Sequence, residues 1–319
     1  MAKAFCYLLS STAIGFYEDL IIVFKKMKAE NNAKKVAVVT GSSSGIGLET
    51  SLTLAANNFR TYATMRNLDK ASNILEPAKK KNLSIEVAKL DITDDFSVHR
   101  AIQSIAEKEG GQIDLLVNNA GYTQLGAVED LSSEEIQAQF NTNVFGVFRT
   151  TREVVPIMRR QSAGGNIINI GSANGFFGVP YASTYVATKF ALEGLTQSLR
   201  YELTPFGIKV TVIEPGAIST NVAYNSMYLP KKIQTRQLSD SSSSSPFTEM
   251  TKNILERSKN GVVNGSPPRV VADVVLQVAK TEKPNWRYRA GADAEKLFEA
   301  RTRMSDIEFE KFLYDLLGF

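Results

Sequence analysis

One cysteine, one histidine and one tryptophan stand among 319 residues. With Cys6 alone, no intrachain disulfide can form, and cysteine usage gives no sign of an oxidising compartment. With His99 alone, neither a histidine-built metal site nor a Ser-His-Asp triad can be assembled, so no metal is expected. His99 lies in "DDFSVHRAI", a helix-like stretch from which its ring should point to solvent. Charge of one sign is also scarce. The net charge is +4, too small for a nucleic-acid surface, and Lys79-Lys80-Lys81 reads as a solvated helix end. Long apolar runs are missing as well. "AFCYLLSSTAIGF" (4–16) resembles a signal-peptide core in length, but no small-residue cleavage site follows. Glu18-Asp19 interrupt it before "LIIVFKK", and a spanning helix needs about 20 apolar residues. Residues 1–33 are therefore expected to be an N-terminal extension with an interfacial or packing helix. Met27, just ahead of the first strand, is an alternative start. The expected location is the cytoplasm, with weak membrane-surface association through this segment.

What is present is alternation. "KVAVVT" (35–40), "RTYATM" (60–65), "IEVAKLD" (85–91), "IDLLVNNAG" (113–121), "GNIINIGS" (165–172) and "IKVTVIEPG" (208–216) read as strands. Helical patterns separate them, at 47–58, 69–81, 94–109, 133–141, 143–160 and 182–204. Near-continuous Val/Ile strands need cover on both faces, which predicts a doubly wound parallel sheet in three α/β/α layers. The pattern lapses after Gly216 until about residue 268, across a serine-rich run at 238–247. It resumes with a helix at 267–284, a last strand in "NWRYRAG" and a helical tail. The expected organisation is one catalytic domain over 34–290, carrying an insertion at 217–266, with a C-terminal tail at 291–319.

Two local patterns carry chemistry. "TGSSSGIG" (40–47) follows the first strand and opens the first helix. Gly41, Gly45 and Gly47 let the backbone turn tightly, and a helix N-terminus offers free amides and partial positive charge to a phosphate. "STYVATKF" (183–190) places Tyr185 and Lys189 four residues apart, on one helical face. An ammonium there favours phenolate over phenol, which suits a proton donor working near neutral pH.

These two motifs, with "LDIT" (90–93), "NNAG" (118–121), "NTN" (141–143), "NIGS" (169–172) and "PGAIST" (215–220), occur in the order found in the short-chain dehydrogenase/reductase family, which the chain resembles over roughly residues 34–222. The resemblance implies a Rossmann-type fold and a homodimer or homotetramer. It also implies four catalytic residues. Tyr185 donates a proton to the developing alkoxide, and Ser172 hydrogen-bonds the same oxygen. Lys189 holds the ribose and tunes Tyr185, and Asn143, at the head of a helix, positions a water linking Lys189 to solvent. Gly171 stands where the family often has serine, but Ser172 keeps the second place. Asn118 is expected to be architectural, bonding backbone between strands.

The implied cofactor contacts begin with Gly41, Ser43, Ser44, Gly45, Ile46 and Gly47 of the loop. Arg66, Asp91, Ile92, Asn119, Ala120 and Gly121 follow, then Tyr185 and Lys189, then Pro215, Gly216, Ile218 and Thr220. At the end of the second strand an acidic residue would favour NAD. This chain has Met65 and then Arg66, and a guanidinium grips a phosphate, so NADP(H) is expected over NAD(H). "YATMRNLDK" and "KFALEGL" look most like the hydroxysteroid and retinol dehydrogenase branch. With "GFFGVPY" (175–181), "VAYNSMYLP" (222–230), Tyr122, Leu125 and Phe145 as pocket candidates, the substrate is expected to be a lipophilic carbonyl or alcohol. The alternatives are a 3-oxoacyl thioester reductase and a cofactor-binding sensor with little turnover.

Overall fold

The computed structural model describes residues 34–220, 227–236 and 247–317. The proposed interfacial helix, Tyr224 and the Ser241–Ser245 run lie outside them. Residues Val36–Phe319 form one compact unit.

Strand β1 (Val36–Val39) shows how the layers arise. All four of its residues are buried, and they alternate between two cores. Val36 and Val38 pack with Val98, Ile102 and Ile105 of α3 (Asp95–Lys108) and with Val154 and Ile157 of α5 (Gly146–Arg160). Ala37 and Val39 pack with Leu54 of α1 (Gly45–Ala56) and with Val271, Val275 and Val278 of α9 (Pro268–Lys280). A strand covered on both sides has no need of polar residues, so the helix–strand–helix sandwich follows from the sequence of β1 itself.

The remaining strands of the sheet are β2 (Arg60–Met65), β3 (Ile85–Lys89), β4 (Leu115–Asn118), β6 (Gly165–Ile170), β7 (Ile208–Pro215) and β9 (Arg287–Ala290). All neighbours pair in parallel, in the order β3-β2-β1-β4-β6-β7-β9. This is the expected doubly wound, Rossmann-type sheet. Its order reverses between β1 and β4, and such a reversal opens a crevice at the carboxyl ends of the strands. The glycine loop leaves β1 at that point, and Asn119-Ala120-Gly121 leaves β4.

Two details differ from the sequence reading, and a third, at His99, adds a contact to an exposed ring that was expected to face solvent. The helix pair expected at 133–141 and 143–160 is α4 (Ser133–Phe140) joined to α5 through a π-helical turn, Asn141–Phe145. The lapse after Gly216 holds a two-residue strand β8 (Met227–Tyr228), a short helix α7 (Lys231–Arg236) and a full helix α8 (Thr248–Val263). β8 pairs with β5 (Thr123–Gln124), the segment following β4. His99, although mostly exposed, holds Glu153 Oε2 at 2.9 Å from Nδ1. Among the described residues no helix is long and apolar enough to cross a membrane.

Candidate active site

The crevice is assembled from backbone that only small residues permit. Gly41 and Gly45 have positive φ, 68° and 58°. A Cβ at Gly41 would lie 2.8 Å from Ala120 Cα, and one at Gly47 would lie 2.4 Å from both Asn119 Nδ2 and the Gly41 carbonyl oxygen. The two loops are thus pressed together across the switch point. Thr40 fastens them: its Oγ1 accepts from the amides of Asn119 (2.9 Å) and Ala120 (3.1 Å), while Asn119 Nδ2 donates to the Thr40 carbonyl (2.8 Å). The sequence reading passed over Thr40, although it opens the glycine motif.

Ser44 sits at the N-cap of α1, and its hydroxyl makes no capping bond. Ser43 Oγ is 3.5 Å from Ser44 Oγ, and the Ser43 carbonyl accepts from Asn73 Nδ2. Ile46 is partly buried against the core behind the loop. First-turn amides without a capping side chain among the described residues, beside two serine hydroxyls, fit the phosphates of a dinucleotide.

The residues expected at the adenosine end form their own group. The loop amide of Ser42 donates to the Thr64 carbonyl of β2 (2.9 Å), so the end of β2, two residues before Arg66, is tied to the glycine loop. Met65 is buried, whereas Arg66 is exposed and makes no ion pair among the described residues. Asp91 Oδ1 accepts from Thr93 N (3.0 Å) and Thr93 Oγ1 (2.7 Å), which fixes its carboxylate at the end of β3. Ile92 is buried under Gly146. At the other end, Pro215 closes β7 and Ala217 N donates to Asp293 Oδ2 (2.6 Å). A Cβ at Gly216 would collide with that same carboxylate. Ile218 is buried, and Thr220 lies against Gly45: a Cβ there would meet Thr220 Cβ at 3.5 Å. The chain after β7 therefore returns over the start of α1.

The candidate catalytic residues meet between β6 and α6 (Ser183–Leu203). Lys189 is buried, with Nζ 5.6 Å from the Tyr185 ring centroid and donating to the Ile170 carbonyl at 3.0 Å. Ser172 is two residues beyond Ile170. Its Oγ accepts from Asn174 N at 3.2 Å, which leaves the hydroxyl proton free to be donated elsewhere. Asn143 is not a helix cap. It is buried in the π-turn, where Nδ2 donates to the Tyr122 carbonyl (2.9 Å) and Thr188 Oγ1 (3.1 Å), and Oδ1 accepts from Tyr122 N (3.1 Å). Thr188 Oγ1 in turn donates to the Tyr185 carbonyl (2.7 Å). A π-turn inserts one extra residue into a helix, and this one carries Asn143 onto both the β4 loop and α6. A Cβ at Gly121 would meet Asn143 Oδ1 at 3.1 Å. Asn118 is architectural, but through side chains: it donates to Asn169 Oδ1 (2.9 Å) and accepts from Thr150 Oγ1 (2.7 Å).

Among the residues expected to line the substrate pocket, Tyr122 meets Tyr228 edge-to-face at 5.4 Å between centroids. Burial, helped by Tyr228 and Glu135, pushes the Tyr122 phenol above its ordinary value. Leu125 is buried. The aromatic stretch at 175–181 behaves differently from the pocket expected of it. Phe176 packs on Phe298 and Phe177 on Phe309, so both are taken up by the C-terminal helices. Phe145 is half exposed.

A glycine loop at the switch point of a doubly wound sheet, together with a Tyr–Lys pair beside a serine with a free proton, is the arrangement of a nicotinamide-dependent oxidoreductase. The chain belongs to the short-chain dehydrogenase/reductase family: residues 35–227 match the short chain dehydrogenase family. An oxidoreductase of Bacillus subtilis, YusZ, is 40% identical over 265 residues, covering 81% of this chain and 89% of that one. Retinol dehydrogenase 8 of Bos taurus is 35% identical over 266 residues, covering 81% and 82%. Among solved structures, a variant of actinorhodin polyketide ketoreductase with NADPH aligns with a TM-score of 0.66 at 27% identity, covering 81% of this chain and 96% of that one.

Proposed function

We propose that the protein is an NADP(H)-dependent oxidoreductase that interconverts a lipophilic carbonyl and its alcohol. The observation that carries this reading is the Tyr185–Lys189 pair, anchored by the Lys189–Ile170 bond next to Ser172. A pure cofactor sensor could use Lys189 to hold a ribose but has no need of the Ser172 and Tyr185 hydroxyls beside it.

The bound nicotinamide supplies or accepts the hydride. In reduction, Tyr185 donates its hydroxyl proton to the substrate oxygen as negative charge develops there. Ser172 donates a hydrogen bond to the same oxygen, a donor preset before charge appears. Lys189 places its positive charge beside the Tyr185 ring and favours the phenolate left behind. Both Nδ2 hydrogens of Asn143 are spent on Tyr122 and Thr188, so a water leading to Lys189 has only the second lone pair of Oδ1 to use.

Preference for NADP(H) rests on Arg66. It has no partner among the described residues, it follows the end of β2 that is tied to the glycine loop, and a guanidinium binds phosphate strongly. The NADPH in the ketoreductase structure supports the same reading. The lipophilic substrate rests on Tyr122, Leu125 and Tyr228 together with the likeness to retinol dehydrogenase 8. The segment 227–236 covers this end of the site. β8 pairs with β5, Pro230 fills the space over Gly126, and Lys231 N donates to Glu135 Oε1 at 2.8 Å. Self-association belongs to the same proposal: Phe145, Phe148 and Phe190 stand about half exposed, an apolar surface that a second copy would cover.

The test is a panel of carbonyl substrates with purified protein, followed by NADPH absorbance. Turnover of lipophilic ketones or aldehydes supports the reading. Tight NADPH binding without turnover of any member would favour the sensor.

A further inference from the structure

Helix α6 carries more than Tyr185 and Lys189. Glu193 continues the four-residue spacing on the same face and is buried. It lies under the turn that holds Ser172. A Cβ at Gly175 would meet Glu193 Cγ at 3.1 Å, and one at Gly171 would meet Glu193 Oε1 at 3.4 Å. Glycines on both sides of Ser172 thus rest on this one carboxyl group.

Across from it, Glu214 of β7 is 1% exposed. Arg287 of β9 reaches both: Nη2 lies 2.7 Å from Glu193 Oε2, and Nε lies 3.1 Å from Glu214 Oε1. Arg287 itself is stacked between the rings of Phe176 and Trp286, 3.9 and 4.0 Å from their centroids. The other charged groups nearby are Arg289 of β9, 4.0 Å from Glu214 Oε2, and Glu295 of α10 (Ala292–Arg303), which holds Arg289 at 3.2 Å. Lys189 is one turn away on α6 and is committed to Ile170.

The hydrogen-bond count leaves a specific deficit. Glu193 Oε1 and Glu214 Oε1 are both buried without a donor, and Arg287 Nε and Arg289 Nε, although 3.1 and 4.0 Å from the Glu214 carboxylate, are themselves left without an acceptor because neither is aligned with an oxygen there. Two ionised carboxylates would leave both oxygens orphaned, at a cost that buried polar groups rarely carry. One proton between them satisfies the deficit.

We propose that Glu193 and Glu214 share one proton and, clamped by Arg287, form a positioning element that fixes the Ser172 turn against α6 and β9. Titration points the same way: burial foremost, then the neighbouring Glu193 charge, pushes Glu214 up to about 9 despite Arg287 and Arg289. A carboxyl that prefers its neutral form in the fold contributes its full stability below the ordinary carboxylate range. That contribution drains away as pH rises towards 9. Once the proton leaves, two like charges face each other beneath Ser172, and the turn loosens. The positioning role rests on the reaction proposed above, whereas the shared proton does not.

The experiment is thermal unfolding of the unmutated protein and Glu214→Gln from pH 5.5 to 9.5, with kcat and the KM for NADPH measured at the same pH values. Glutamine keeps its hydrogens throughout. The expected result is a Tm that falls with pH in the parent and much less in Glu214→Gln. Above pH 8 the parent should also lose kcat more steeply than the variant, with the KM for NADPH unchanged in both. Every other ionisable group is common to both proteins, so the comparison isolates Glu214. Parallel Tm curves would overturn the shared proton, as would a Glu214→Gln protein that does not fold. A flattened Tm curve with identical kcat profiles would overturn the positioning role. The Tm measurement needs no turnover, so a failure of the proposed reaction is read separately.

Discussion

Lys189 Nζ donates to the carbonyl oxygen of Ile170 at 3.0 Å, and Ile170 is the last residue of β6 before Gly171-Ser172. A side chain on the helix thus grips the strand that delivers the serine. Because Lys189 is buried, its ammonium must find acceptors, and this bond supplies one within a turn of Tyr185. The remaining hydrogens of Nζ stay available for ribose hydroxyls.

Removing the Arg66 guanidinium should separate the two cofactors. Arg66→Ala is expected to raise the KM for NADPH by roughly ten- to a hundredfold, the equivalent of about 1.5–3 kcal/mol for a charge-assisted contact. The KM for NADH should barely move. Steady-state kinetics with both cofactors decide it, and equal weakening of both would remove Arg66 from phosphate recognition.

Filling the glycine cradle should damage binding and fold together. In Gly47→Ala the new methyl would lie 2.4 Å from Asn119 Nδ2 and from the Gly41 carbonyl, both parts of the tied loops. Overpacking of this kind costs about 1–3 kcal/mol. A lower Tm and a sharply weaker NADPH affinity are expected by thermal unfolding and fluorescence titration. Unchanged affinity would mean that the loop does not approach the cofactor.

Polar replacement on the cover should select against bulky apolar substrates. With Met227→Ser and Tyr228→Ser combined, the Tyr122 ring loses its edge-to-face partner. The KM for a lipophilic carbonyl should rise severalfold while that for NADPH stays put. If bulky ketones are handled as before, segment 227–236 is no part of the substrate pocket.

How much of this was readable in advance depends on the distance over which each signal acts. β1 to β4, β6 and β7 could be read because each strand's apolar pattern is written in its own residues. The Tyr185–Lys189 pair and the glycine loop were readable because a helix turn and a tight turn are local. Asn143 was misplaced at a helix start, since a π-turn shifts hydrogen bonds without any composition signal. Helix α8 was missed because "TEMTKNILERSKNGVV" is polar, and among its residues with described side chains only Thr251 and Ile254 are fully buried. Phe176 and Phe177 were assigned to a pocket because their partners, Phe298 and Phe309, lie more than a hundred residues away. Glu193, Glu214 and Arg287 likewise sit on three separate elements, α6, β7 and β9, which only tertiary packing brings together.

The central claim is that Tyr185 transfers the proton. The most direct measurement is NADPH-dependent reduction of a carbonyl by Tyr185→Phe, with NADPH affinity measured on the same preparation. The phenyl ring keeps the packing and removes only the hydroxyl. Turnover should fall at least about a hundredfold, the low end for general acid catalysis, while NADPH affinity stays within a fewfold of the parent. A variant that binds NADPH normally and turns over at the parent's rate would contradict the account.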